Sequence, residues 1–88
     1  MAVTVLLPRL LADQAGGQKQ FELEAPTVGA ALRALPVRDL LFDERDELRP
    51  LVNVYLDGTD ARELGGLEAE LRGGETIRVV AAIAGGAR

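Results

Sequence analysis

The 88-residue chain has no cysteine, no histidine, no tryptophan and no serine. Without cysteine no disulfide can form, and without histidine a zinc site would have to be built from carboxylates alone, so zinc chemistry is not expected. Thiol, imidazole and serine hydroxyl are all missing, and the usual nucleophile and base pairs of hydrolases and transferases cannot be assembled. The chain therefore reads as something other than an enzyme, with no bound cofactor and no metal. One tyrosine and two phenylalanines leave no stacking platform for bases. Ten basic residues, nine of them arginines scattered singly, stand against fourteen acidic ones, for a net charge of −4. No clustered basic face is available to neutralise phosphates, so nucleic acid is not an expected partner. No apolar run approaches the roughly 18 residues that span a bilayer, and no leader pattern opens the chain, so membranes are not expected either and the expected location is cytoplasmic.

What is present is concentrated at the end. The β-branched run from Thr76 to Ile83 passes directly into Ala84-Gly85-Gly86-Ala87-Arg88. A strand that runs out into glycines makes a thin tail, because residues without Cβ fit narrow clefts and adopt backbone angles closed to others. Such a tail presents a carbonyl carbon to another protein's active site. The carboxylate of Gly86 is tied up in a peptide bond as long as Ala87 and Arg88 remain. The ending is thus either a precursor to be cut or a terminus altered in some other way.

The order of elements follows from the apolar pattern. Val3 to Leu7 reads as a strand closed by Pro8, with Val3, Val5 and Leu7 on one face. Gly16-Gly17 marks a turn, and Lys19 to Glu24 alternates as the second strand of a hairpin. Thr27 is an N-cap for a main helix carrying Val28, Ala31, Leu32 and Leu35, which Pro36 ends. Val37 to Phe42 offers a second helical turn that would cover the core with Leu40 and Leu41, and Asp43 to Glu47 reads as an exposed turn. Val52 to Leu56 alternates as a strand closing on Asp57-Gly58, a hairpin signal, with Ala61 to Glu63 as a short return strand. Leu67 to Leu71 would make one helical turn, and Gly73-Gly74 turns the chain into a last strand, Thr76 to Ile83. A helix after the first hairpin allows a later strand to lie parallel to the first, so both termini become central strands of one mixed sheet with one main helix on one face, an α+β roll.

That order, with the glycine ending, resembles the β-grasp fold of the MoaD/ThiS/CysO-type ubiquitin-like sulfur carriers. The stretches that carry the likeness are Ala15-Gly16-Gly17-Gln18-Lys19, Pro50-Leu51-Val52-Asn53-Val54-Tyr55, Leu64-Gly65-Gly66-Leu67 and Ala82-Ile83-Ala84-Gly85-Gly86, the first and third looking most like the CysO type. The resemblance implies a single β-grasp domain over residues 1–86 and a removable extension at 87–88. It implies that a JAMM-type zinc peptidase cuts between Gly86 and Ala87. An E1-like adenylyltransferase/sulfurtransferase, using ATP and magnesium, would then convert Gly86 into a thiocarboxylate. Ala84, Gly85 and Gly86 would form the tail that enters the partner's channel. A sulfur-accepting synthase, pyridoxal-phosphate dependent if the product is cysteine, would take the sulfur; a sulfur-containing metabolite or molybdopterin are other destinations. The family's docking surface is the sheet face turned away from the helix, where strand parity places Leu6, Tyr55 and Val80, with Arg78 at the rim.

Two other functions share this sequence: a ubiquitin-like modifier conjugated through Gly86, and an interaction domain whose tail does no chemistry. Gly16-Gly17 and Gly73-Gly74 lack the spacing of phosphate-cradling loops and read as turns. Asp43, Glu44, Asp46 and Glu47 have no apolar surroundings to desolvate one carboxylate, so they read as a solvated loop and not a catalytic dyad. Lys19, the sole lysine, is an isopeptide acceptor only if the chain is itself conjugated.

Overall fold

The computed structural model describes residues 2–81. Strand β1 (Val3–Leu6) buries Val3 and Val5 and pairs antiparallel with β2 (Gln20–Leu23), Val5 lying opposite Phe21. Between them runs a helix, α1 (Arg9–Gln14), that the sequence pattern does not reveal. Pro8 sits at its N-cap, Leu11 and Ala12 enter the core, and Gly17 N–H donates to the Ala12 carbonyl to close it. The expected plain turn at Gly16-Gly17 is the exit of this helix, both glycines holding positive φ.

Helix α2 (Val28–Arg33) starts as anticipated: the Thr27 hydroxyl accepts from the Ala30 N–H at 3.2 Å, and Val28, Ala31 and Leu32 are buried. Helix α3 (Arg38–Leu41) follows. Leu41 is completely buried, but Leu40 is 43% exposed, so only one of the two leucines covers the core. On so short a helix, successive side chains point about 100° apart, and the core has room for one of them.

Strand β3 (Val52–Leu56) buries Val52, Val54 and Leu56 and turns at Asp57-Gly58, where φ is 50° and 87°. Positive φ at both central residues is the two-residue hairpin turn that follows the natural strand twist. The return strand β4 is Thr59–Asp60, not Ala61 to Glu63. A two-residue turn hands the ladder over at once, and the Asp60 carboxylate then accepts from the Arg62 N–H and caps a 3₁₀ turn over Ala61–Leu64. The expected helical turn at Leu67 to Leu71 is shorter, a 3₁₀ turn at Gly66–Glu68, because Ala69 and Leu71 become extended to bond Val28 N–H and the Pro26 carbonyl.

Strand β5 (Thr76–Ala81) lies between β1, to which it is parallel, and β3, to which it is antiparallel, giving the order β2-β1-β5-β3-β4. The first and last of the described strands are thus both interior. Ile77 and Val79 face the helices with Val3, Val5, Val54, Leu32 and Leu41 in one apolar core, and no polar side chain is buried among the described residues. The expected continuation of this strand through Ala82 and Ile83 lies outside the described residues, as do Ala84, Gly85, Gly86 and Ala87.

Candidate functional site

The sheet face opposite the helices is built by the alternate residues of the same strands. The registers align one row across all five strands: Gln20, Leu6, Arg78, Tyr55 and Asp60. Val80 sits one step nearer the tail, opposite Asn53. Leu6 and Tyr55 are half-buried, while Arg78 and Val80 are exposed. All four expected docking residues therefore share one face, with one correction. Arg78 is not at the rim; as a residue of the central strand it stands between Leu6 and Tyr55.

Arg78 and Val80 form a ridge between two shallow concavities. One, of about 490 Å³, is bounded by Tyr55, Asp57 and Thr76. The other, of about 190 Å³, is bounded by Leu6, Leu7 and Pro8. The ion pairs among the described residues join Arg33 and Arg38 to Asp46, Arg38 to Asp39, and Arg62 to Asp60, and leave Arg78 unpaired. Asp60, at the end of the row, is held by Arg62 at 2.7 Å. That hydrogen bond, with a second from the Arg62 N–H, keeps the Asp60 carboxyl below its ordinary range and raises Arg62. The guanidinium of Arg78 is thus an unpaired positive charge near the centre of this face.

The start of β5 is fixed firmly. The Glu75 carboxylate accepts from Arg72 N–H and Gly73 N–H, both at 2.7 Å, and Thr76 N–H donates to Asp57 Oδ1 at 2.9 Å. The Arg72 bond is the main reason the Glu75 carboxyl lies below its ordinary range. These bonds also occupy the amides of the Gly73-Gly74 turn, Gly74 N–H going to the Ala2 carbonyl, so no phosphate cradle is open there.

The acidic stretch is a staple. Asp43 Oδ1 accepts from Arg45 and Glu47 N–H, while Asp46 bridges Arg33 and Arg38 at 3.0 Å each. Both guanidiniums lie over the Phe42 ring, at 5.0 and 6.0 Å from its centre. Sequence spacing gave no hint of this cluster, whose members come from two helices and a loop. No group of metal-ligating side chains occurs among the described residues.

The central strand β5 is described to Ala81, on the edge of this exposed face, and the sequence runs on from there to Gly85-Gly86. Residues 5–86, the sheet and the tail through the second glycine, match the ThiS family. The chain belongs to that family. The sulfur carrier protein CysO of Mycobacterium tuberculosis is 32% identical over 93 aligned residues, covering 98% of this chain and all of the relative. Among solved structures, the Amycolatopsis orientalis BexX/CysO complex contains a chain 34% identical with a TM-score of 0.80, covering 97% of this chain and 100% of that one. The small archaeal modifier protein 1 of Methanosarcina acetivorans is 26% identical with a TM-score of 0.82, over 97% of this chain and 96% of its own. The fold is the ubiquitin-like β-grasp of these proteins, and within the ThiS family the chain falls with the sulfur carriers of the CysO type.

Proposed function

We propose that this ThiS-family chain carries sulfur as a thiocarboxylate on Gly86, after Ala87 and Arg88 are removed by a JAMM-type zinc peptidase. The observation that carries the reading is the family match running through Gly86, the residue to which the central strand leads. The freed Gly86 carboxylate attacks the α-phosphorus of magnesium-bound ATP on an E1-like enzyme, expelling pyrophosphate and giving an acyl-adenylate. Hydrosulfide then attacks the acyl carbon and AMP leaves. The resulting thioacid loses its proton at neutral pH and is a strong nucleophile toward an electrophile held by a synthase. ATP and magnesium belong to the activating enzyme and the sulfur to the tail, so the carrier needs no cofactor, cysteine or base of its own.

The sheet face serves as the grip. Leu6, Tyr55 and Val80 supply apolar area beside the tail and Arg78 supplies one open charge, a combination suited to a partner surface with an apolar centre and a carboxylate. Cysteine formation on a pyridoxal-phosphate-dependent synthase is the favoured destination, on the likeness to CysO carriers. The structural likeness to an archaeal modifier supports a second reading, in which activated Gly86 is attacked by a lysine amine of a target protein.

Intact mass spectrometry of the chain incubated with a peptidase, an E1-like enzyme, magnesium-ATP and sulfide tests these readings. Loss of the Ala87-Arg88 dipeptide followed by exchange of one oxygen for sulfur is the expected result. Isopeptide adducts of higher mass would move the assignment to a modifier. An unchanged mass would overturn both.

A further inference from the structure

The two edges of the sheet are finished differently. Strand β4 is two residues long and ends at once in the Asp60 carboxylate that caps the following 3₁₀ turn. Strand β2 runs over four residues, Gln20–Leu23, and none of the described strands lies beyond it. The direction of its backbone groups is fixed from two sides. Leu7 N–H donates to the Lys19 carbonyl at 2.8 Å, and Thr4 N–H turns the other way, to the Glu75 carbonyl at 2.9 Å. Antiparallel ladders alternate, so Lys19, Phe21 and Leu23 direct their N–H and C=O groups at β1 while those of Gln20 and Glu22 point outward. The Gln20 carbonyl accepts from the Gln18 side-chain amide at 2.9 Å. Among the described residues, the Gln20 N–H and both backbone groups of Glu22 have no partner.

We propose that this edge takes up an extended segment of a partner protein as an additional strand, one that alternates apolar residues with lysine or arginine. Side-chain parity sets that chemistry. Glu22 is exposed on the open side of the sheet, in line with Gln20, and Glu24 follows one alternation later. Neither takes part in the ion pairs among the described residues. Basic side chains on an added strand lie opposite them, and opposite charges facing across a ladder are favourable. Phe21 and Leu23, half-buried on the helix side, give an apolar flank to the residues in between. A second copy of this chain is a poorer occupant. Edge-to-edge pairing crowds the Glu22 and Glu24 of both chains along one short ladder, where like charges repel, and the stretch from Lys19 to Glu24 holds a single cation, Lys19. Strand β1 separates the edge from β5, so an added strand does not overlie Arg78 or Val80, and the inference holds whether or not Gly86 is ever activated.

Amide hydrogen exchange followed by NMR on the full 88-residue chain tests it. The probes are two capped peptides, one alternating valine with lysine and the other alternating valine with glutamate. Without peptide, the Gln20 and Glu22 amides should exchange fast and those of Phe21 and Leu23 slowly. Saturating lysine peptide should slow Gln20 and Glu22 by about tenfold or more, while the glutamate peptide leaves them unchanged. Both carboxylates are exposed, so a variant carrying Glu22→Lys and Glu24→Lys should keep the spectrum of the folded chain and reverse the preference between the peptides. No slowing at millimolar lysine peptide overturns the proposal, and so does equal slowing by both peptides. Slowing that grows with protein concentration in the absence of peptide gives the edge to a second copy and overturns it as well.

Discussion

Gly29 sits on the face of α2 that meets the 3₁₀ turn at Gly66–Glu68. A Cβ there would lie 3.0 Å from the Leu67 carbonyl oxygen and 3.2 Å from the Leu67 Cβ. Alanine is the better helix former by about 1 kcal/mol, but forcing a methyl against fixed backbone costs about 1–3 kcal/mol, so the clash wins. Gly29→Ala should lower the urea midpoint by an amount corresponding to at most about 2 kcal/mol. Glu75 governs acid behaviour at the same scale. Its folded carboxyl is depressed below the ordinary 4.5, chiefly by the Arg72 N–H. As pH falls past that ordinary value the unfolded chain takes up the proton first, so stability present at higher pH is lost until the folded group also titrates. Glu75→Gln should flatten this part of the curve of denaturation midpoint against pH. A variant that keeps the full acid slope would assign the slope to other carboxylates, Asp60 among them.

Elements differ in how much of themselves the sequence displays. The helix at Val28 is announced by its Thr27 cap and by Pro36, and the strand faces by strict alternation from Val52 to Leu56 and from Ile77 to Val79. Helix α1 is silent because Arg9 to Gln14 is under two turns, too short for a period to emerge, and Gly16-Gly17 looks the same after a helix as within a hairpin. The return strand was displaced by two residues because the Asp57-Gly58 turn is as short as a hairpin turn can be. Leu40 and Leu41 are indistinguishable by hydropathy, and only the crossing of α3 over the sheet separates them. Leu41→Ala should cost about 2–5 kcal/mol, a large part of the whole stability of so small a domain, whereas Leu40→Ala should cost under about 1 kcal/mol. Equal losses in denaturant melts would contradict the assignment of Leu41 to the core. The docking row was legible in parity but not in position: alternation gave Arg78 its face, and the strand order, which depends on contacts distant in sequence, gave it the centre.

For the molecule as a whole, the sheet face and the tail should be separable by mutation. Arg78→Glu reverses the unpaired positive charge at the centre of that face without touching the core. It should leave the melting temperature within a degree or two, while reducing the rate of Gly86 adenylation at low carrier concentration about tenfold, read as pyrophosphate release. An unchanged rate would remove the face from the activation step. Substituting a bulky residue for Gly86 should abolish adenylation altogether with the same melting temperature.

The parallel pairing of β1 with β5 makes the first and last of the described strands neighbours in the sheet. Until Thr76 to Ala81 has emerged, Val5 has no Ile77 beside it and Val54 no Val79, so the core cannot close during synthesis, and contacts so distant in sequence form late and slowly. A chain interrupted before Thr76 is therefore left without the strand that closes its core. Core closure waits on Thr76 to Ala81, the strand that immediately precedes the Gly85-Gly86 stretch in the sequence.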